Sequence, residues 1–345
     1  MWFSENMRAL DLINKDVVEF ASTFKLKKEL EGSRFLITGA TGLIGSTLVR
    51  CLIGLNNGIR ITCPVRNIEK THDILGKSTS EVNFIECDLI NYLQTMHDDF
   101  EYIVHCASPT NGKYMTEHPV ETYEIAVETT RLLLNYASAH KKTGMIYVSS
   151  LEYYGQNFDD SLITEGYVGY VDYTQARSSY QVGKRSAEYL CRAYSLEYGV
   201  NVKVARLTQT FGAGISKNDN RVFAQFARSV ITSEDIVLHT KGESAKPYCY
   251  TTDCVAGILY ILLKGECGEA YNVANEDTYI SIKDMAEMFR ENYNQKINVR
   301  IELHPEMGYA PVTRLRLSSE KLTNLGWKPN YNLKEMLDKL IQSMG

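Results

Sequence analysis

The sequence predicts an α/β protein: a doubly wound parallel sheet with a smaller, discontinuous C-terminal lobe for a substrate. Short apolar runs alternate with longer helical patterns from Arg34 to Leu207, and a glycine-rich turn joins the first run to the first helix. Such alternation is typical of a parallel sheet with helices on both faces. Beyond Thr208 the alternation stops, which predicts the second lobe.

Six short runs, rich in branched and aromatic side chains, predict the parallel strands. They are residues 35–38, 59–65, 82–87, 102–106, 145–149 and 202–207. Helical patterns cover residues 43–55, 119–140 and 179–198. Before them, Leu10, Ile13, Val17 and Phe20 recur at helical spacing, so residues 1–32 are expected to form a helical extension.

The later part of the chain is expected to divide between the two lobes. A helix is predicted near residues 221–231, and a strand at 270–274 is expected to return to the main sheet. The expected sheet domain is 33–208 with about 268–276, and the second lobe is 209–267 with 277–345. A ligand cleft is expected where the lobes meet.

Composition excludes several classes of protein. Apolar residues make up 44% and charged residues 23% of the chain, which are globular values, and the net charge of −5 gives no reason to expect a nucleic-acid partner. No apolar run is long enough to span a membrane, and the first residues do not resemble a signal peptide, so a cytoplasmic location is expected. The eight scattered cysteines are expected to be reduced thiols, with no metal site.

A glycine-rich turn, GATGLIG at residues 39–45, follows the first predicted strand and opens the first helix. Glycines let the backbone approach a pyrophosphate, and the helix N-terminus offers it free N–H groups. The context predicts a Rossmann-type dinucleotide site, and a merely structural turn is the alternative. The residues expected to contact the cofactor here are Gly39, Thr41, Gly42, Leu43, Ile44 and Gly45.

Three later strand ends are expected to complete the cofactor site. Arg66 follows the second strand, where an acidic residue would favour NAD, so NADP(H) is favoured over NAD(H); a solvated loop arginine is the alternative. Asp88 and Leu89 follow the third strand and suit a contact with adenine. Ala107 and Ser108 follow the fourth strand with small side chains that would line the cofactor, whereas His105 is expected to be a packed strand residue.

The candidate catalytic residues cluster around the fifth strand and the helix that follows it. Tyr180 and Lys184 share a helix face at i, i+4, and a nearby ammonium would bring the phenol pKa towards working pH. Ser150 ends the strand and is expected to hydrogen-bond the reacting oxygen, with Ser149 as the competing choice. Glu152 is expected to move a proton, with a solvated loop carboxylate as the alternative.

From about Arg34 to Lys328 the chain resembles the extended short-chain dehydrogenases/reductases that act on nucleotide sugars, the NAD(P)-dependent epimerase/dehydratase family. The motifs that carry this resemblance are TGATGLIG (38–45), Asp88-Leu89, HCASP (105–109), SSLEYYG (149–155), YQVGK (180–184), RLTQTFG (206–212) and LGWKP (325–329). The run YQVGKRSAE looks most like the UDP-glucuronate decarboxylase branch. Ser150, Glu152, Tyr180 and Lys184 match the active-site positions of 4,6-dehydratases, and residues 65–67 are similar to NADP-using GDP-mannose dehydratases.

The resemblance implies a nucleotide-diphosphate sugar as the substrate. Its implied contacts are Ser108, Ser150, Gln209, Arg221, Lys246 and Arg314. The chain departs from the family at several of its positions. Leu151 stands where dehydratases carry Asp or Ser, Ala126 and Gln209 each replace an Asn, and Lys246 replaces an arginine, which removes a planar fork for anions.

The leading functional hypothesis is a redox-neutral cycle on a nucleotide sugar. The sugar is oxidised, at C4 by resemblance, then dehydrated, decarboxylated or epimerised, and the hydride is returned; dehydration or decarboxylation is favoured over epimerisation. A net NADPH-dependent reductase of a keto sugar is the first alternative, and a non-catalytic dinucleotide-binding sensor or scaffold is the second. The resemblance also implies a homodimer through the two long helices, for which sheet-covering helices are the alternative.

Overall fold

The computed structural model describes residues 2–157, 159–304 and 312–345, with side chains from residue 8 onward. The helices in these ranges are α1 (Trp2–Thr23), α2 (Leu43–Gly54), α3 (Ile68–Leu75), α4 (Leu89–Thr95), α5 (Gly112–Glu117), α6 (Pro119–Ala139), α7 (Ser178–Tyr198), α8 (Val222–Thr232), α9 (Thr251–Lys264), α10 (Ile282–Tyr293), α11 (Glu320–Thr323) and α12 (Leu333–Met344). The strands are β1 (Arg34–Thr38), β2 (Arg60–Val65), β3 (Val82–Glu86), β4 (Tyr102–His105), β5 (Gly144–Ser150), β6 (Leu162–Ile163), β7 (Val202–Leu207), β8 (Gln209–Phe211), β9 (Ile236–Leu238), β10 (Ala245–Tyr250), β11 (Ala270–Val273), β12 (Asn275–Ser281), β13 (Val299–Ile301) and β14 (Arg316–Leu317).

Seven parallel strands form the main sheet in the order β11-β7-β5-β4-β1-β2-β3. The register aligns Thr38 of β1 with His105 of β4, and Ser150 of β5 with Leu207 of β7. Their apolar runs are buried because helices cover both faces, as the predicted fold class requires. The sheet therefore brings the carboxyl ends of β1, β4 and β5 to one edge, where a ligand of such a sheet binds.

Strand β11 returns to the main sheet as predicted, pairing Ala270 with Val204 of β7. Three small sheets in the described part of the chain lie outside the main sheet. They are β12-β10-β8, β13-β9 and β14-β6. A separate apolar core joins α8, α10 and α12 around Phe226 and Phe289.

Helix α1 forms where the periodicity predicted a helix, with Phe20 buried and Val17 packed against the core, whereas Leu10 lies outside the buried face. Leu10 is 43% exposed, whereas Asp16 is only 3% exposed. Asp16 accepts hydrogen bonds from Tyr250 of β10 and Lys339 of α12, at 2.5 and 2.6 Å. The helix thus contacts the second lobe as well as α2 and α9.

The helices in the described ranges do not include one that combines the length and the apolar character of a membrane span. All eight cysteines are unpaired thiols, and five of them are buried. Burial raises the pKa of the Cys106 thiol, which lies at the end of β4, to about 12. These thiols act as small apolar side chains in the core.

Candidate active site

The glycine turn between β1 and α2 has the shape of a phosphate cradle. Gly39 has a φ of +71°, and a Cβ there would lie 2.7 Å from the backbone nitrogen of Ala107. A Cβ on Gly45 would overlap the carbonyl oxygen of Gly39. Gly42 begins α2 without any side-chain cap, so the first N–H groups of the helix are left for a ligand. The glycines therefore allow the turn to pack closely against the end of β4 and the start of α2, and the uncapped N-terminus of α2 fits the pyrophosphate of a dinucleotide.

The predicted adenosine-side residues lie at the ends of β2 and β3. Arg66 is exposed and directly precedes Asn67, which caps α3 by accepting a hydrogen bond from the Lys70 nitrogen at 2.7 Å. Asp88 caps α4 by accepting from the Asn91 nitrogen at 3.0 Å, and Leu89 packs against a neighbouring apolar core. Asp88 therefore has a structural task in addition to the predicted contact with adenine.

His105 is a packed residue of β4. Its Nδ1 lies 2.6 Å from the Thr38 hydroxyl and its Nε2 lies 3.0 Å from the Thr129 hydroxyl. Burial, and to a smaller extent the charge of Lys184, lowers the pKa of this imidazole to about 3. The ring is therefore neutral and bridges the sheet to α6.

Tyr180 lies in the first turn of α7 with its side chain buried. Burial, reinforced by the charge of Glu152, raises the pKa of the phenol to about 12, although hydrogen bonds with Ser150 and Ser108 act in the opposite direction. The expected shift towards working pH is thus reversed in this structure, because loss of solvent outweighs the nearby cations. The structure does bring Tyr180, Ser150, Ser108 and Glu152 together.

Lys184 is buried one helical turn after Tyr180. Its ammonium donates to the Val148 carbonyl at 2.9 Å and lies 5.5 Å from the centre of the Tyr180 ring. Burial lowers the pKa of this ammonium to about 8, while the carboxylate of Glu188 opposes the shift. The lysine is therefore held near the tyrosine ring by its hydrogen bond to β5.

Ser149 and Ser150 have different environments, which decides between the two candidates. The Ser149 hydroxyl donates to Glu188 at 2.5 Å, away from Tyr180. Glu188 also accepts two hydrogen bonds from the Arg206 guanidinium, Nε at 2.9 Å and Nη2 at 2.7 Å, and both of these side chains are almost fully buried. Ser149 belongs to this internal network, and Ser150 alone faces the phenol.

Glu152 lies in the short 3-10 turn Leu151–Tyr154 that follows β5, and it is half-buried rather than solvated. Its Oε1 accepts a hydrogen bond from Nη2 of Arg177 at 2.8 Å. The Arg177 guanidinium also lies 5.4 Å from the centre of the Tyr180 ring. Sequence reasoning missed Arg177, although its position three residues before Tyr180 places it at the start of the same helix.

The implied substrate residues are divided between two places. Lys246 of β10 is near enough to Glu152 for the carboxylate to raise its pKa, although burial lowers that pKa overall. Arg221 is held by Asp219 at 2.7 Å and donates to the Thr210 carbonyl, and Gln209 pairs with Tyr248 in the small sheet.

Arg314 lines a cavity of about 450 Å³ in the second lobe. The described lining of this cavity also includes Asp160, Lys241, Tyr279 and Asp284, and none of the four candidate catalytic residues. The sequence predicted a cleft where the lobes meet, and this cavity is lined by Asp160 of the expected sheet domain together with residues of the second lobe. Tyr180 lies outside it and is buried.

No cluster of three or more His, Cys, Asp or Glu side chains in the described parts of the chain is arranged to hold a metal ion. The side chains that the structure does bring together are Tyr180, Ser150, Ser108 and Glu152.

The sequence is similar to that of known proteins over most of its length. The family model described as "NAD dependent epimerase/dehydratase family" matches residues 35–274. UDP-glucuronic acid decarboxylase 1 of Danio rerio is 28% identical over 92% of this chain and 74% of its own length. UDP-glucuronic acid decarboxylase 6 of Arabidopsis thaliana is also 28% identical, over 88% of this chain and 86% of its own.

Solved structures show the same fold. A UDP-glucose 4-epimerase from Thermotoga maritima, solved with UDP-glucose, superposes with a TM-score of 0.75 at 20% identity, covering 90% of this chain and 98% of its own. A dTDP-glucose 4,6-dehydratase from Bacillus anthracis, solved with NAD, gives a TM-score of 0.74 at 20% identity, covering 90% and 96%.

Proposed function

The chain belongs to the NAD dependent epimerase/dehydratase family, and from that premise we propose that it is an enzyme that converts a nucleotide-diphosphate sugar through a 4-keto intermediate without net oxidation. The observation that carries the proposal is the contact of the Tyr180 phenol with Ser150 and Ser108, next to Glu152. A base, a hydrogen-bond donor and a second proton carrier in one place are what such a cycle requires.

The cofactor would be held by the bare turn at residues 39–45, with Asp88 at the adenine end and Ser108 and Lys184 near the nicotinamide. When bound, the nicotinamide accepts a hydride from the sugar carbinol and later returns it. We propose NADP(H) over NAD(H) because Arg66 follows β2 and is exposed for a 2′-phosphate. Activity measured at decreasing concentrations of each cofactor tests this preference. The preference is supported if activity persists to a lower concentration of NADP than of NAD.

The proton chemistry belongs to the side chains around Tyr180. The phenolate form of Tyr180 takes the proton of the C4 hydroxyl as the C–H bond at the same carbon is broken, and Ser150 hydrogen-bonds the oxygen that becomes the carbonyl. Burial disfavours this form in the protein alone, and the positive charge of an oxidised nicotinamide beside the phenol would lower its pKa. Glu152 then moves the proton at the neighbouring carbon. In a dehydration it removes that proton and passes it to the hydroxyl on the next carbon, which leaves as water; in a decarboxylation it supplies the proton after CO₂ leaves a carboxylate at that carbon. Each step leaves the protein itself unchanged after the hydride has been returned.

We propose decarboxylation of a nucleotide-linked uronate as the first reaction to test, because relatives along most of the chain are UDP-glucuronic acid decarboxylases. We propose that Gln209, Arg221, Lys246 and Arg314 bind the sugar nucleotide within a lobe made of residues 209–267 and 277–345. Lys246 keeps the positive charge expected at its position, with less directional recognition than an arginine fork gives.

The net reductase remains a second candidate because of one observation, the exposed Arg66 at the end of β2. It differs from the cycle in a measurable way, since a reductase consumes NADPH in proportion to product, whereas the cycle retains its cofactor without net turnover. The absorbance of reduced cofactor during turnover distinguishes the two.

The deciding experiment incubates the protein with UDP-glucuronate and with UDP-, GDP-, CDP- and dTDP-hexoses, using NAD or NADP, and measures product masses. Loss of CO₂, loss of water, a gain of two hydrogens and an unchanged mass distinguish decarboxylase, dehydratase, reductase and epimerase. Tyr180→Phe is expected to reduce kcat by a factor of at least about 10² while cofactor binding persists. Turnover that survives this substitution undiminished would remove Tyr180 from the mechanism, and no product with any sugar would favour the non-catalytic alternative.

We also propose that two copies of the chain associate through α6 and α7. These helices pack against each other and against the sheet, yet they leave large apolar side chains exposed. Val120 and Tyr123 on α6 are 61% and 38% exposed, and Tyr189 and Leu196 on α7 are 72% and 71% exposed. Exposed aromatic and aliphatic side chains on paired helices are typical of a protein interface.

A further inference from the structure

Arg177 has one hydrogen-bonding nitrogen that the fold leaves unused. Its Nη2 donates to Glu152 at 2.8 Å, and its Nη1 is buried without a hydrogen-bond partner among the described residues. Buried N–H groups of charged side chains are almost always paired, because the lost solvation is otherwise uncompensated. The guanidinium therefore has a fixed position and one free donor.

The surroundings of this donor are those of the proposed reaction. The Arg177 guanidinium lies 5.4 Å from the centre of the Tyr180 ring. A Cβ on Gly112, the first residue of α5, would lie 4.0 Å from its Nε, so a larger side chain there would narrow the space beside the guanidinium. Arg177 thus lies between the 3-10 turn that carries Glu152 and the start of α5.

The charges around Glu152 leave an excess of positive charge. Its carboxylate is hydrogen-bonded by Arg177 and acts on the pKa of both Lys184 and Lys246. Because Glu188 also balances Lys184, the cations that share the Glu152 carboxylate most directly are Arg177 and Lys246. Such an excess favours a substrate with negative or strongly hydrogen-bond-accepting oxygens.

We propose that Arg177 is a positioning residue of this site: one guanidinium nitrogen fixes Glu152, and the other binds an oxygen of the sugar next to Tyr180. This inference rests on the proposed function, since it requires that a sugar reacts at Tyr180. A planar fork suits the task because it holds two acceptors in one plane at a set separation, which the single ammonium of a lysine does not do.

The same position gives Arg177 an electrostatic effect on the phenol. The charged and titratable groups that face Tyr180 are Glu152 from the 3-10 turn, Arg177 and Lys184 from α7, and Tyr147 from β5. Glu152 raises the pKa of the phenol and Arg177 lowers it. Removing the arginine charge therefore raises that pKa, and removing the glutamate charge lowers it.

The test measures hydride transfer in a single turnover of UDP-glucuronate, as the absorbance of reduced cofactor, from pH 6 to 10. The rate of hydride transfer is expected to rise with pH as the Tyr180 phenol ionises. Arg177→Gln is expected to move this rise to higher pH and to lower kcat/KM about ten- to a hundredfold. Arg177→Lys keeps the charge and is expected to leave that rise in place, while KM increases about tenfold because the second donor is lost. Glu152→Gln is expected to move the rise to lower pH.

Arg192→Gln on the same helix is the matched control, because Arg192 forms only a half-exposed ion pair with Glu269, at 2.8 Å. Its pH profile and KM are expected to equal those of the wild type, and cofactor affinity of every variant confirms folding. If Arg177→Gln lowers the rate without moving its pH dependence, or if Arg177→Lys behaves like the wild type in KM, the inference is wrong. If instead Tyr180→Phe retains full hydride transfer, the proposed function fails whatever Arg177 does.

Discussion

Lys184 is a buried ammonium whose charge depends on a neighbour that the substrate does not touch. Burial lowers its pKa to about 8, and Glu188, four residues later on the same helix face, opposes this shift. Glu188 is itself fixed by Ser149 and Arg206. The internal network behind β5 therefore helps to keep Lys184 charged for its proposed contact with the nicotinamide ribose.

Glu188→Gln is expected to weaken cofactor binding more at pH 8 than at pH 6.5. Loss of the carboxylate lowers the pKa of Lys184 further, so the ammonium loses its proton at a lower pH and the fraction charged at pH 8 falls. The free energy of unfolding is expected to fall by about 3–5 kcal/mol, because Arg206 is left buried without its anion. Titration of cofactor at the two pH values and urea unfolding check both effects.

Glu128→Gln on α6 is the control for this substitution. Glu128 pairs with Arg131 at 2.6 Å on the protein surface, where ion pairs contribute about 0–1 kcal/mol. Its cofactor affinity should show the same pH dependence as the wild type. An equal ratio of affinities at pH 8 and 6.5 in Glu188→Gln and the wild type would mean that Glu188 does not support the charge of Lys184.

Local spacing was enough to predict some of these residues and not others. Tyr180 and Lys184 were predicted because i, i+4 spacing on a helix places them on one face. The direction of the phenol pKa was wrong, since burial depends on the whole fold. Ser149 and Glu188 are 39 residues apart, and only the packing of α7 against β5 shows that Ser149 turns away from the site.

Helix α1 contacts the second lobe through a buried carboxylate, that of Asp16. Asp16 receives hydrogen bonds from Tyr250 and Lys339, and the Lys339 ammonium lies 4.7 Å from the centre of the Tyr331 ring. Buried carboxylates are tolerated when they are paired in this way. The helix therefore holds α12 against the sheet domain in addition to covering apolar surface.

Lys339→Met is expected to lower the free energy of unfolding by about 1–3 kcal/mol, because Asp16 keeps only the hydrogen bond from Tyr250. Lys334→Met on the same helix is the control, since Lys334 pairs with Asp338 where the lysine side chain is 55% exposed. It is expected to change stability by less than about 1 kcal/mol. Thermal unfolding of both variants measures the difference, and equal melting temperatures would show that the Asp16 ion pair adds no stability.

The apolar periodicity of α1 predicted its buried face near Phe20 but not the burial of Asp16. Leu10, at the start of the pattern, is exposed, and Phe20, at its end, is buried. The partners of Asp16 lie 234 and 323 residues away in the chain, so no local pattern contains them. Helix α9 was not predicted for a related reason: it is buried from Thr251 to Leu262 on all sides, so it lacks the polar face that makes a helix recognisable.

At the scale of the whole molecule, the proposed dimer predicts a sedimentation mass of two chains at micromolar concentration. Leu196→Glu on α7 is expected to shift this mass towards one chain, because it places a charge in an apolar contact. Val18→Glu is the control, since Val18 is 70% exposed on α1 and lies outside these helices. A wild-type mass of one chain, or a Leu196→Glu variant as heavy as the wild type, would contradict this interface.

The fold class could be predicted because parallel strands that are covered on both faces carry uninterrupted apolar runs. The small sheet β14-β6 could not, since strands of two residues carry little periodicity. The sheet β12-β10-β8 could not either, because its strands pair across long distances in the chain. The cavity that contains Arg314 could not be predicted from local patterns. Its lining also comes from residue 160, residues 241–245 and residues 279–284, which only the folded chain brings together.

The order of strands in the main sheet constrains how the protein folds while it is being synthesised. Strand β11 lies at the edge of the sheet beside β7, although more than sixty residues separate Val202 from Ala270 along the chain. A ribosome must therefore release residue 273 before the edge of β7 is covered, and until then that edge is a template for unwanted pairing with other chains. The nascent chain is thus exposed to aggregation over a long stretch of translation, and truncations that end before β11 should depend on chaperones to stay in solution.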